Sequence, residues 1–163
     1  MDLIEAMLKD FERIMQDTSY MEAAIEQARA AAAMGEVPVG CVIVHNAQII
    51  AAAHNRRETS QNALAHAELL AIDIACKKLS SWRLSECDLY VTLEPCPMCM
   101  GAIINSRVSR VVYGAADPKG GCLGSLVDLT QLPFNHKPEV HRGVCGQECG
   151  HLLREFFEKL RDK

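Results

Sequence analysis

Helical and strand-like segments alternate along this chain of 163 residues, and this alternation limits the possible folds more than any other feature. Apolar residues recur every three or four positions over 3–15 and over about 65–78, which predicts amphipathic helices. Short segments rich in apolar residues predict strands at 37–44, 48–53, 88–93, 110–115 and 139–141. Further helices are predicted at 97–106, 125–132 and 146–159. Together these predict an α/β fold, a layered sheet with helices on both faces.

The N-terminal region is expected to hold two helices rather than one. Ser19 and Glu22 form an S-x-x-E pattern, which is typical of a helix start. The alanine-rich segment that follows predicts a helix through Met34 that ends at Gly35. We therefore divide the chain into an amphipathic helical extension over 1–18 and one domain over 19–163, a length that suits a single domain.

Composition indicates a soluble globular protein. Hydrophobic residues make up 49% of the chain and charged residues 23%. The apolar segments, such as 37–44, are far shorter than the roughly 18 residues of a membrane span. No basic region of a signal peptide precedes an apolar stretch at the start, so we expect a cytoplasmic protein with no membrane partner. The eight cysteines are then expected to be reduced thiols, some of them on a metal.

Charge is unevenly distributed. Two basic and five acidic residues in 1–17 give −3, six and nine in 18–99 give −3, and nine and seven in 100–163 give +2, which together give the net −4. A nucleic-acid phosphate backbone would meet the C-terminal third most easily, although a solvated surface explains the same distribution.

Two short motifs carry metal-ligand chemistry. His66-Ala67-Glu68 opens one predicted helix, and Pro95-Cys96-Pro97-Met98-Cys99 follows a strand and opens another. Two thiolates three residues apart on a first helical turn, with one imidazole, provide three ligands for tetrahedral zinc. Three protein ligands are typical of a catalytic site, because the fourth position is left for a water that zinc acidifies. Glu68, beside that water, would accept and return a proton.

Other interpretations of these motifs stay open. A C-x-x-C pair alone is also a redox or structural motif, but a redox role leaves His66 and Glu68 without a purpose. A closed structural site needs a fourth ligand. The candidates for that ligand, or for a separate site, are His141, Cys145, Cys149 and His151.

The combined pattern H-x-E and P-C-x-x-C is the signature of the zinc nucleoside deaminases. From about Ser19 to Arg161 the chain further resembles the bacterial tRNA adenosine deaminases of the TadA type. The segments that carry this resemblance are Glu36–Gly40, His54–Glu58, Ala65–Glu68, Ser81–Leu84, Tyr90–Cys96, Tyr113–Gly121, Phe134–His136 and Phe156–Phe157.

The resemblance implies a three-layer α/β/α cytidine-deaminase-like fold, with a mixed sheet of about five strands. It implies a homodimer with one Zn²⁺ per chain. It also implies hydrolysis of adenosine to inosine at the wobble position of a tRNA anticodon, typically that of an arginine tRNA. The anticodon stem-loop is then the partner.

Residue roles follow from the same resemblance. His66, Cys96 and Cys99 would hold zinc and Glu68 would move protons. Asn55 would hydrogen-bond the flipped base, and Arg57 would hold phosphate. The positions that would meet the anticodon loop are Asp117, Lys119, Asn135, His136 and Phe157. The alternatives are that 117–121 is only a turn and that Phe157 is a core residue.

Two features depart from the family pattern. The segment before Ser19 is longer than usual, and Glu158 interrupts the region where relatives carry a basic tail. Two other functions therefore stay under consideration, a deaminase of free guanine, cytosine or cytidine, and an inactive RNA-binding or zinc-stabilised subunit. The RNA-facing segments disfavour the first, and an intact Glu68 disfavours the second.

Overall fold

A five-stranded mixed sheet forms the middle layer of the protein. The computed structural model describes residues 2–163. The strands are β1 (Gly40–His45), β2 (Gln48–His54), β3 (Cys87–Leu93), β4 (Arg110–Ala115) and β5 (Glu139–Arg142), in the order β2-β1-β3-β4-β5. β1 pairs antiparallel with β2 and with β3, whereas β3–β4 and β4–β5 are parallel.

Five α-helices accompany the sheet, and four of them form the outer layers. They are α1 (Leu3–Ala33), α2 (Arg57–Ser60), α3 (Ala67–Leu79), α4 (Pro97–Asn105) and α5 (Gly146–Arg161). Alternate strand residues point to opposite faces, so Cys41 and Ile43 lie in the core under α3 and α4, while Val42 and Val44 lie in the core under α1 and α5. The predicted layered α/β/α architecture is confirmed. No helix in residues 2–163 is long and apolar enough to cross a membrane.

The predicted helix start at Ser19 is wrong. α1 runs without interruption from Leu3 to Ala33, with Ser19 and Glu22 inside it. No glycine or proline lies between residues 3 and 33, so nothing breaks the helix, and an S-x-x-E sequence inside a helix needs no cap. The boundary of the extension at residue 18 therefore falls within one helix.

The region after β4 also differs from expectation. The helix predicted over 125–132 is only a 3₁₀ turn at Leu129–Gln131, with Asp128 accepting a hydrogen bond from the Thr130 amide. The short α2 lies in a region where no helix was predicted. Both regions are loops at the edge of the sheet where the site forms.

That edge is set by strand directions. β3 and β4 are parallel, so their carboxyl ends lie together, and this edge is where open α/β sheets place their ligands. Antiparallel pairing brings the start of β1 and the end of β2 to the same edge. α3 and α4 begin there as well, because they follow β2 and β3 along the chain.

Candidate active site

Three candidate metal ligands converge at the starts of two helices. His66 immediately precedes α3, Cys96 immediately precedes α4, and Cys99 lies in the first turn of α4. Nδ1 of His66 lies 3.6 Å from Sγ of Cys96 and 3.5 Å from Sγ of Cys99. Pro97 occupies the first helical position and favours this turn. A backbone N–H at that position has no partner within the helix, so the helix loses no hydrogen bond because proline lacks one.

The distances within this group fit a zinc ion. Two ligands on a tetrahedral zinc, at about 2.0 Å for nitrogen and 2.3 Å for sulfur, are roughly 3.5 Å apart. The observed nitrogen–sulfur separations have that value, and all three ligand atoms lie within 4.8 Å of one another. Within residues 2–163 it is the one group of three or more His, Cys, Asp or Glu side chains close enough to share an ion. The alternative cluster of His141, Cys145, Cys149 and His151 forms no such group.

The electrostatics of the two thiols also suit a metal. Hydrogen bonding from Cys99, and then from His66, lowers the pKa of the Cys96 thiol to about 4. The pKa of Cys99 is raised because its proton is held against the Cys96 sulfur. Cys96 is thus a thiolate even without a metal. A cation that replaces the proton held between the two sulfurs would make Cys99 a thiolate as well.

Glu68 is the second residue of α3, and its carboxyl lies beside the ligands. The side chain is buried, and burial is the main cause that raises its pKa above the usual glutamate range. The Cys99 thiol hydrogen-bonds the carboxylate, and His66 is close enough to act on its charge. A carboxyl with a raised pKa next to an open metal position is suited to exchanging protons near neutral pH.

A small cavity opens in front of these groups. Its volume is about 140 Å³, and a cavity of about 150 Å³ holds one benzene-sized ring. Its lining consists of Val37, Val39, Asn55, Arg57, His66, Ala67, Glu68, Leu93, Glu94, Cys96 and Asp117. The cavity therefore admits one flat ring beside His66 and Cys96.

Asn55 is held rigidly in the wall of this cavity. Its Nδ2 donates to the Val37 carbonyl at 3.2 Å, and its Oδ1 accepts from the Arg57 amide at 3.1 Å. One amide proton and one carbonyl lone pair remain for a ligand. The two backbone bonds determine which way the amide faces.

Glu94, which the sequence motifs did not single out as a site residue, organises the opposite rim. Its buried carboxylate accepts from the backbone amides of Asp117, Leu123 and Ser125 at 3.0–3.2 Å, and from the Ser125 hydroxyl at 2.5 Å. Gly121 packs directly on this carboxylate, and a Cβ there would overlap it. The loop that carries Asp117 is thereby tied to the turn that carries Cys96.

Glu36 has the same function on the other rim. It is fully buried, and its carboxylate accepts from the backbone amides of Glu58 and Thr59 at the start of α2. Both glutamates lie in segments that carry the family resemblance, Glu36–Gly40 and Tyr90–Cys96, but the sequence assigned neither of them a role. Neither glutamate has a buried cation as its partner. The sequence therefore could not show that these two carboxylates are buried rather than exposed on the surface.

The remaining predicted contact residues lie outside the cavity lining. Lys119 and Asn135 are exposed, and Phe157 is 47% exposed on α5. The imidazole of His136 lies 2.6 Å from the Val108 carbonyl through its Nε2. Of the predicted substrate-binding set, the structure brings Asn55, Arg57 and Asp117 together at the cavity, and the other four stay predictions.

Comparison with known sequences places most of the chain in one family. Residues 15–161 match the sequence model of the MafB19-like deaminases. The chain is 58% identical over 149 residues to the tRNA-specific adenosine deaminase of Bacillus subtilis (strain 168), covering 91% of this chain and 92% of that protein. It is 46% identical over 144 residues to the enzyme of the same name from Rickettsia typhi, covering 86% and 97%.

Solved structures agree with the sequence comparison. A structure from work on deaminases that perform A-to-I editing at the wobble position of transfer RNA superposes with a TM-score of 0.81 at 43% identity, covering 83% of this chain and 99% of that one. A guanine deaminase from Nitrosomonas europaea has a TM-score of 0.75 at 28% identity, covering 85% and 83%.

Proposed function

The chain belongs to the family of bacterial tRNA-specific adenosine deaminases, and we propose that it hydrolyses adenosine to inosine at the wobble position of a tRNA anticodon with the help of one zinc ion. The observation that carries the proposal is the position of the buried Glu68 beside His66, Cys96 and Cys99 at the end of a base-sized cavity. We further propose that His66, Cys96 and Cys99 hold the zinc.

Zinc held by these three residues would acidify a water molecule enough for its oxygen to form a bond to C6 of adenine near neutral pH. The carboxyl of Glu68 accepts a proton from that water and delivers it to N1 of the adenine ring. A second transfer through the same carboxyl allows the 6-amino group to leave as ammonia, which balances adenosine and water against inosine and ammonia. Glu68 is buried, so it exchanges these protons with the substrate rather than with bulk water.

Asn55 orients the base for this reaction. Its two backbone hydrogen bonds prevent rotation of the amide, and the remaining donor and acceptor face the cavity lined by Val37 and Leu93. A fixed amide positions C6 toward the metal at no further entropic cost, which is a large part of enzymatic rate enhancement.

The cavity admits one base, so the target nucleotide must leave the stack. A base in an anticodon loop is already partly unstacked and costs the least to extrude. Arg57 and Asp117 lie at the mouth of the cavity, and Lys119 is exposed two residues from Asp117. We propose that Arg57 and Lys119 contact phosphate and that Asp117, Asn135, His136 and Phe157 face the loop.

The test is a panel of substrates for the purified, zinc-loaded protein. An anticodon stem-loop with wobble adenosine is compared with the same stem-loop bearing wobble guanosine, and with free adenosine, cytidine, cytosine and guanine. We expect inosine and ammonia from the adenosine stem-loop alone. Turnover of free guanine with an untouched stem-loop would instead assign the function of the more distant guanine deaminase relative.

Three finer features are proposals that rest on family membership. They are a preference for arginine tRNA, a cytoplasmic location and a homodimer. Comparing stem-loops with arginine and other anticodons in the same panel tests the first.

A further inference from the structure

The first four turns of α1 extend beyond the rest of the protein. Every residue from 2 to 16 is exposed apart from Ala6, which is half-buried, and the buried residues of α1 begin at Asp17. Seven large apolar side chains in this N-terminal segment, residues 3–15, are between 55% and 75% exposed. They are Leu3, Ile4, Met7, Leu8, Phe11, Ile14 and Met15.

This apolar face is too large to be left in water. Seven such side chains present several hundred Å² of apolar surface, against about 800 Å² that each partner contributes to a standard interface. Because the segment gains almost no burial from its own chain, another molecule must cover it.

The segment is not part of the machinery that the family shares. The match to the deaminase family begins at residue 15, after nearly all of these apolar side chains. The structure of the wobble-position deaminase covers only 83% of this chain, although 99% of that structure is matched. The occupant of this face therefore has to be deduced from the segment itself.

Charge excludes a phosphate-bearing surface as the occupant. The polar side of the segment carries three acidic and two basic residues, which are Glu5, Asp10, Glu12, Lys9 and Arg13, and the acidic Asp2 immediately precedes it. Helices that lie on membranes are rich in lysine and arginine on that side, and RNA binding also needs an excess of basic residues. A protein surface, and in particular another helix, fits this composition better.

The spacing of the apolar residues favours a helix of the same kind. Ile4, Met7, Phe11 and Ile14 fall at the a and d positions of a heptad repeat, and Leu8 and Met15 fall at e. Among the charged residues of the segment only Asp10 falls at an e or g position, and the others occupy b, c and f. Two copies of this face can thus meet with almost no like-charge contact.

We propose that the N-terminal segment pairs antiparallel with the same segment of a second copy of this chain. The body of the protein meets α1 from the C-terminal end of the segment onward, where Arg13 pairs with Glu139 on β5 and Asp17 with Arg110 on β4. Antiparallel pairing puts the two bodies at opposite ends of the helix pair. Parallel pairing would bring both bodies to the same end, where they would compete for space.

The geometry fixes which residues meet. With a and d positions interleaved about a two-fold axis, Ile4 lies against Ile14 of the partner subunit and Met7 against Phe11 of the partner subunit. Arg13 and Asp17 lie on a different side of the helix and keep their contacts with the sheet.

The first experiment measures molar mass by sedimentation equilibrium. The double variant Met7→Glu with Phe11→Glu should have half the mass of the wild type at the same concentration, one homodimer of the family type in place of a pair of such homodimers, with wild-type deaminase turnover. A control variant, Lys9→Glu with Gln16→Glu, adds glutamates to the charged side and should keep the wild-type mass. Equal masses for the wild type and the Met7, Phe11 variant would overturn the proposal, and so would an equal loss of mass in the control.

The second experiment tests the orientation of the helices. Ile4→Cys and Ile14→Cys proteins are mixed and oxidised under mild conditions, and we expect a disulfide-linked pair that contains one chain of each. Each variant alone should give no more cross-link than the wild type, which has all of the native cysteines. A cross-link of Ile4→Cys with itself would show parallel pairing, and absence of the mixed cross-link would show that another molecule covers the face.

Discussion

Glu68 is the residue on which the proposed chemistry depends most. Glu68→Gln keeps the size and burial of the side chain but cannot accept a proton. We expect turnover of the anticodon stem-loop to fall by about 10²–10⁴-fold, with zinc content unchanged at one per chain. Steady-state kinetics and elemental analysis of the same preparation measure both quantities.

A matched control for Glu68 is Glu86→Gln, since the Glu86 side chain is 84% exposed. It should leave turnover unchanged. Near-normal turnover in Glu68→Gln would remove this carboxyl from the mechanism, whereas loss of zinc would assign it to the metal site instead.

The second prediction concerns the contribution of Glu94 to the free energy of unfolding. All four groups that contact its carboxylate are donors, so Glu94→Gln would face an amide NH₂ toward an N–H or O–H donor. Hydrogen bonds to a charged group contribute about 1.5–3 kcal/mol, and we expect a loss of free energy of unfolding in that range. Ser125→Ala removes one donor and should cost less. Urea unfolding at pH 7 compares the three proteins.

The pH dependence of this effect has a definite sign. Burial alone would raise the pKa of Glu94, but hydrogen bonds from Ser125, Leu123 and Asp117 hold it below the usual value of 4.5. The folded state therefore favours the ionised form, and this stabilisation is fully present above the unfolded pKa. It is lost as the pH falls through the lower folded pKa, so the difference between wild type and Glu94→Gln should shrink below about pH 4. A difference that stays constant from pH 7 to pH 3 would contradict the assignment.

The grouping of the three candidate metal ligands could be predicted from sequence, whereas the loop-bracing residues could not. His66, Cys96 and Cys99 have a spacing with few alternative meanings once both motifs are present. Glu36 and Glu94 act through backbone amides of loops that are remote in sequence, at separations of up to 31 residues. No local pattern encodes such contacts, because the amide donors are the same for every residue type.

At the scale of elements, the packing of α1 on β1 depends on one glycine. A Cβ at Gly40 would overlap the backbone of α1 at Ala24 and Ala28. Gly40→Ala must therefore push α1 away from the sheet, and overpacking of this kind costs about 1–3 kcal/mol. We expect a lower denaturation midpoint, measured by circular dichroism.

Gly101→Ala is the control for Gly40→Ala. Gly101 lies inside α4, and a Cβ there meets no atom within 4 Å. Replacing a helical glycine with alanine should raise stability by roughly 0.5–1 kcal/mol. If both substitutions destabilised the protein equally, the close approach of α1 to β1 would not be the cause.

Predictions of elements succeeded where hydrophobic periodicity was strong and failed where a local pattern had two meanings. The strands β1, β3 and β4 were found because residues on both of their faces are buried, which makes each of these segments apolar. The helix start at Ser19 was wrong because S-x-x-E occurs both in caps and inside helices. The helix expected over 125–132 was wrong because its backbone is used in other contacts: the amides of Leu126 and Leu129 donate to the carbonyls of Gly121 and Cys122, and Asp128 forms a β-bridge with Leu123.

At the scale of the whole molecule, charge separates the two ends of the chain. Residues 1–17 carry −3 and residues 100–163 carry +2. The N-terminal segment therefore repels a phosphate backbone, while the C-terminal third attracts it. A bound anticodon stem-loop is expected on the side of the site that includes Lys119, away from the proposed helix pair.

This distribution predicts how salt affects RNA binding. Lys119→Ala should weaken binding of the anticodon stem-loop and reduce the slope of log K against log salt by about one unit, because one phosphate contact is lost. Lys78→Ala, at the end of α3 that is remote from the site, should leave the slope unchanged. Fluorescence anisotropy at several salt concentrations measures both. An equal slope for Lys119→Ala and the wild type would mean that the RNA lies on a different face.

In that case, neutralising Glu5 and Glu12 together tests whether the acidic segment lies closer to the RNA than proposed. Removing these two negative charges would strengthen RNA binding only if the segment lies close to the RNA.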